Sequence, residues 1–132
     1  MLSQYSGKLD HVLFFHLTLP NQDWIWRGGL VARNCFMMNC ILPGISISTR
    51  EGADVSGITI ASNHFLRADR SMGTDTTVGG GVFVDPAAGD YQARAEGAAT
   101  GSGKPLVTVP ADVAGTPWGG APSRGCYTTP RP

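Results

Sequence analysis

The sequence predicts an all-β chain wound as a short solenoid of three to four coils, on three observations. Apolar and β-branched residues alternate in short runs, at Val12/Phe14, Phe36/Met38, Ile45/Ile47 and Ile58/Ile60, the period of a strand with one buried face. Pro20, Gly28, Gly29, Pro43, Gly44, Gly52 and Gly57 separate these runs as turn residues do. One pattern is also written more than once. At an offset of 24, Val31 falls on Val55, Phe36 on Ile60, Asn39 on Asn63, Ile41 on Phe65 and Leu42 on Leu66. Spacings of this size belong to units that bury their apolar faces only by stacking on a neighbour.

Taken in order, residues 10–21 form a degraded first copy, with Phe14 lying 22 before Phe36 and Leu19 lying 22 before Ile41. Phe14, Leu17 and Leu19 do not keep a helical period, so strands are expected here. Residues 31–42 and 55–66 form the second and third copies, and Phe14, Phe36 and Ile60 are expected to share one inner column. Asn39 and Asn63 are expected at stacked corners, where Asn tolerates left-handed backbone. The polar break at 67–81 ends in Gly79-Gly80-Gly81. Val82-Phe83-Val84 restarts the apolar face 22 residues after Ile60 as a last partial coil. The coils thus run over about residues 9–91 of a single domain, 1–132. Residues 92–132, with one strand candidate at Leu106–Val109, form an irregular tail wrapping the side or end of the stack.

Composition narrows the function classes. The 132 residues include 18 Gly and 9 Pro, and only 15% are charged, which suits short strands and turns rather than charged surface helices. Ten basic and ten acidic residues cancel, leaving no general electrostatic footprint for nucleic acid or an anionic membrane. The apolar patch Val12–Leu19 is far too short to span a bilayer. No signal peptide is read at the start, so the expectation is a soluble protein, cytoplasmic if the chain is complete. Cys35, Cys40 and Cys126 match no zinc or redox spacing and read as small apolar fillers.

Phe83-Val84-Asp85-Pro86-Ala-Ala-Gly89-Asp90-Tyr91 resembles a phrase that closes right-handed parallel β-helix proteins of the pectate-lyase-like superfamily. Asp112-Val-Ala-Gly115-Thr-Pro117 resembles a second phrase downstream of it, and Arg124-Gly-Cys126-Tyr127 stands where the family often ends. The resemblance covers about residues 9–127 and implies a short right-handed parallel β-helix of three to four coils with an irregular C-terminal tail. Trp118 and Cys126 depart from the family's phrases. No catalytic set carries over residue by residue. A short stand-alone version also resembles the small orphan proteins of mobile gene cassettes.

The residues offer few chemical constellations. Asp69 and Asp75, with Arg70 as the cation, are the candidates for a polysaccharide lyase or glycoside hydrolase, since such chemistry needs paired carboxylates or a base beside a positive charge. Calcium would accompany that reading; otherwise no cofactor or metal site is expected. Cys40 and His64 fall together under the 24-residue register as a thiol–imidazole pair. Trp24 and Trp26 alternate to one side and suit either a sugar platform or core packing. The first copy has almost no N-terminal cap, so Val12 and Phe14 are expected at an open coil end, an edge liability. The expected function is a non-enzymatic module that self-associates through that end, or binds a carbohydrate or protein partner. The alternative is a minimal enzyme of the pectate-lyase-like type acting on a polysaccharide.

Overall fold

A computed structural model describes the backbone of residues 2–106 and 108–127, with side chains from residue 7 onward. Strands β1 (Leu2–Asp10), β2 (Leu13–Phe15), β3 (Trp24–Arg33), β4 (Cys35–Met38), β5 (Ile41–Leu42) and β6 (Ile45–Thr49) come first. They are followed by β7 (Ile58–Ala61), β8 (His64–Phe65), β9 (Thr77–Val78), β10 (Phe83–Asp85) and β11 (Asp90–Ala93). Two 3-10 turns, Ala68–Arg70 and Pro86–Ala88, are the helical elements among the described residues.

The all-β expectation holds, but the expected right-handed parallel β-helix of three to four coils is corrected. The strands are divided among small separate sheets, ordered β1-β3-β6, β2-β4-β7, β5-β8-β9 and β10-β11. The first three are parallel and the last is antiparallel. None closes on itself, and no solenoid wall runs through the molecule. The breaks have a local cause. Asn34 and Asn39 take positive φ, 51° and 56°, and these left-handed residues interrupt the extended backbone between β3, β4 and β5. The expected last coil at 82–84 is likewise corrected: β10 pairs antiparallel with β11, and β9 extends the β5-β8 sheet instead. The Leu106–Val109 candidate is a turn closed by Val109 N–H on the Leu106 carbonyl at 3.1 Å; Val107 lies outside the described residues.

Register is the second correction. β2, β4 and β7 pair Leu13 with Phe36 with Thr59, and Phe14 with Met37 with Ile60. The spacing is therefore 23 in this sheet, between the 22 and 24 read from the sequence. A slip of one residue moves a side chain to the other face of a sheet. Phe36 consequently leaves the inner column, and Met37, fully buried, takes its place between Phe14 and Ile60. Asn39 keeps its left-handed corner, but its counterparts 23 residues away are His16 and Ser62, at φ 53° and 54°. Asn63 instead holds the ladder. Its side chain accepts from Cys40 N at 2.9 Å and donates to the Met37 carbonyl at 2.9 Å.

The principal core lies among the three parallel sheets and contains Trp26, Leu30, Ala32, Cys35, Met37, Cys40, Leu42, Ile45 and Phe65. A second, smaller core forms on the opposite face of the β5-β8-β9 sheet, from Ile41, Val82, Phe83, Ala93 and Ala99. The alternation Ile41 outward and Leu42 inward follows from the strand pleat. The two cores let one two-residue strand bury both of its faces.

Candidate functional site

One candidate site is the pair of free strand edges presented by β1 and β2. Among the described residues each of these strands has a single hydrogen-bonded neighbour, β3 for β1 and β4 for β2, as β6 and β7 do at the opposite edges of the same sheets. Nine residues of β1 therefore carry a free edge, bent by a bulge between Gln4 and Ser6. The apolar side chains facing inward at this end, Leu9, Val12, Phe14, Leu17 and Leu19, pack on the core but none is fully buried. One strand deeper, Ala32, Met37 and Leu42 are at most 1% exposed. Leu13, beside Phe14, stands 51% exposed. Open backbone and unfinished apolar surface thus coincide.

The opposite end is better covered. Arg67 N–H bonds the Pro43 carbonyl, and Ser62 and Thr74 exchange backbone bonds with each other's neighbourhood through Ser62 N to Thr74 O and Thr74 N to Ile60 O. Met72 packs on the core, and the Arg70 side chain lies against Gly44 so closely that a methyl at Gly44 would overlap it. Asp23 gathers Arg67 at 2.6 Å and Arg70 at 3.2 Å at this side.

The second built feature is polar and lies beneath the C-terminal strap, residues 99–126. Arg124, with a side chain 2% exposed, donates to the Asn63 carbonyl at 2.7 Å and Thr77 Oγ1 at 2.8 Å. It also donates to the Ser102 carbonyl through Nε at 3.1 Å and through its Nη2 at 3.0 Å. Burial works against its charge, and Asp75, 3.7 Å away, offsets this. Asp75 accepts from Ser62 Oγ at 2.7 Å and lies 3.5 Å from the Lys104 ammonium; the Ser62 bond, then Arg124 and Lys104, hold its carboxyl below the usual range. His64 Nε2 donates to the Gly79 carbonyl at 2.9 Å, and its Nδ1 meets Thr77 Oγ1 at 2.7 Å. A cavity of about 310 Å³ lies beside His64, lined also by Gly79–Gly81, Arg94 and Glu96.

The candidate residues are dispersed. Arg70 is engaged by Asp23 and lies 4.0 Å from Asp69, whereas Asp75 is committed to Ser62, Lys104 and Arg124. Asp69 and Asp75 share no partner. Trp26 is 1% exposed in the core, with its Nε1 buried and unpartnered, and Trp24 packs beside it at 5.8 Å and on Phe14 at 4.6 Å. Trp26 therefore presents no platform at the surface. Val12 and Phe14 do lie at the open end. Cys40 and His64 are not a pair: Cys40 faces the inner core and His64 pairs with Ile41 on the other face. Burial pushes the Cys40 thiol up to about 12, the reverse of an activated nucleophile. All three cysteines are free.

Among the described residues no group of three or more His, Cys, Asp and Glu is placed to hold a metal ion, calcium included. Among them, too, no helix is long and apolar enough to cross a membrane. Comparison with family models, curated proteins and solved structures found no match. Sequence reasoning missed Arg124 and His16. Their signal was faint, one Arg among three in a Gly- and Pro-rich tail and a His where the later copies carry Asn39 and Ser62.

Proposed function

We propose that this protein is a non-enzymatic module that self-associates through the β1–β2 end. The observation that carries the reading is the coincidence of two deficits there. Among the described residues two strands have no second hydrogen-bonding neighbour, and the five inward apolar residues behind them stay partly exposed. Such an edge is a template for another strand, and strand addition supplies main-chain hydrogen bonds while the apolar layer supplies burial. A second copy of the same chain is the partner favoured by charge. The part of β1 whose side chains are described, residues 7–10, carries one cation and one anion, Lys8 and Asp10, both exposed, on a chain of zero net charge. A strongly acidic or basic partner would gain nothing there.

Sedimentation equilibrium across micromolar concentrations tests this directly. The reading requires an associating species that Leu13→Lys weakens at least tenfold, because Lys on an exposed edge strand disfavours pairing. Leu13 is half exposed, so the substitution leaves the core in place. A wild-type protein that stays monomeric throughout the range overturns the proposal.

A further inference from the structure

We propose that the C-terminal strap, residues 99–126, is an acid-released latch, opened by protonation of the two buried histidines beneath it, His16 and His64. On each imidazole one nitrogen donates to a backbone carbonyl and the other faces a donor, although the Ser123 backbone beside His16 favours its proton. His16 is 5% exposed and stacks on Trp118 at 4.0 Å. Its Nδ1 lies 3.2 Å from the Gly125 carbonyl, which only accepts, so Nδ1 carries the proton. Its Nε2 then accepts from Asn39 Nδ2 at 3.1 Å. The Asn39 amide does not turn over to receive a proton. Its Nδ2 donates to the Lys104 carbonyl at 2.7 Å and its oxygen accepts from Lys104 N at 2.9 Å. A proton on His16 Nε2 would therefore face an N–H donor in a buried site.

His64, fully buried, is fixed the other way round. Gly79 O takes the Nε2 proton, so Nδ1 accepts from the Thr77 hydroxyl, whose oxygen in turn accepts from Arg124. A second proton on His64 would set an imidazolium and the Arg124 guanidinium against the same hydroxyl oxygen. Asp75 stands on the far side of Arg124, and Arg94 and Glu96 line the cavity beside the ring. Around His16 the titratable groups are Cys126 and Arg124, either side of Gly125, and Lys104, whose ammonium is drawn to Asp75. Desolvation lowers both histidines from their ordinary 6.5.

The sign follows from linkage. With folded pKa values below the unfolded one, the latched state binds fewer protons, so its advantage is full above about pH 6.5 and declines as pH falls towards the depressed values. Both histidines sit where the strap meets the rest of the chain: Gly125 N–H on the Asn39 carbonyl at 2.7 Å, and the Arg124 guanidinium on the Asn63 carbonyl and Thr77. Release would uncover Ile41, against which Gly125 packs so tightly that a side chain would not fit.

Hydrogen exchange on the full chain, followed by NMR and corrected for intrinsic rates, tests the latch. As pH is lowered below 6.5, protection of the Gly125 and Cys126 amides, which bond Asn39 and Thr18 outside the strap, should fall about tenfold per pH unit for each proton taken up. Ala32 and Cys35, in the principal core, should keep theirs. The loss should track the imidazole resonances of His16 and His64, and a His16→Gln/His64→Gln variant should abolish it while His11→Gln leaves it unchanged. Protection that is flat with pH overturns the proposal, as does simultaneous loss from core and strap. So does titration of the two imidazoles with the strap still protected, a wild-type measurement that stands even if the double variant does not fold.

Discussion

The two ends of the strand stack contain similar apolar residues and finish them differently. At the β1–β2 end Leu9, Val12, Phe14, Leu17 and Leu19 are all partly exposed, and no described strand lies beyond them. At the other end Ile47, Val55, Ile58 and Ile60 are also only partly buried, but Met72 packs on the core, Gly73 lies against Ile60, and residues 66–74 bond the Leu42, Pro43 and Ile60 carbonyls. A chain can complete a layer with its own segment or leave it to something else. The contrast teaches that the open end is a feature of arrangement, not of composition.

The largest effect expected from breaking this contrast is in the middle layer. Met37→Ala, at a fully buried site, should cost about 2–5 kcal/mol, while Phe14→Ala at the open end should cost less because part of its cavity is open to water. Urea unfolding of the two variants reads the difference, and equal losses would place both residues at one depth. Arg124→Ala comes next. It removes the two bonds to the Ser102 carbonyl and one of the two donors to the Asn63 carbonyl, which keeps Thr77 N–H, a loss of about 1–3 kcal/mol, so the strap should unfold at lower denaturant than the core. A single transition at the wild-type midpoint would show that Arg124 does not fasten it. Phe36→Ala sharpens the register. Facing outward and only partly buried, it should cost clearly less than Met37→Ala, and a larger cost would restore the spacing read from the sequence.

Two smaller effects remain. Alkylation of the folded protein near neutral pH should modify Cys126, which is partly exposed, and spare Cys35 and Cys40, the latter held as a thiol at about 12; mass spectrometry of peptides checks this. Asp69→Ala should change stability by no more than about 0.5 kcal/mol, as befits an exposed carboxylate 4.0 Å from Arg70. A loss several times greater would reveal a role that its contacts do not show.

Much of the strand content was legible in the sequence, because alternation at Val12/Phe14, Ile45/Ile47 and Ile58/Ile60 is a strong local signal. The repeat was legible only to within one residue. Asn39 and Asn63 look equivalent as letters, yet one occupies a left-handed corner and the other a ladder position, and letters do not carry φ. Anchoring on that pair displaced Phe36 to the wrong face and set Cys40 beside His64 instead of Asn63. The phrase Asp85–Tyr91 was visible, but its role was local. Asp85 accepts from Ala88 N at 3.2 Å, Gly89 takes φ 80°, and the chain turns back as an antiparallel pair. The strap was least legible. Its hold depends on Arg124 meeting Asn63, and Asn39 meeting Lys104, across more than 60 residues, contacts that no period announces. The candidate acids failed for the same reason, since Asp69 and Asp75 are near in sequence and committed to different partners in space.

Association decides the central claim. Sedimentation equilibrium of the wild-type chain and Leu13→Lys, run side by side above pH 7 where the strap is closed, should show a concentration-dependent oligomer for the first and a shift towards monomer for the second. Two identical monomers would mean that the β1–β2 end is simply tolerated as exposed surface, and the proposed function would fall.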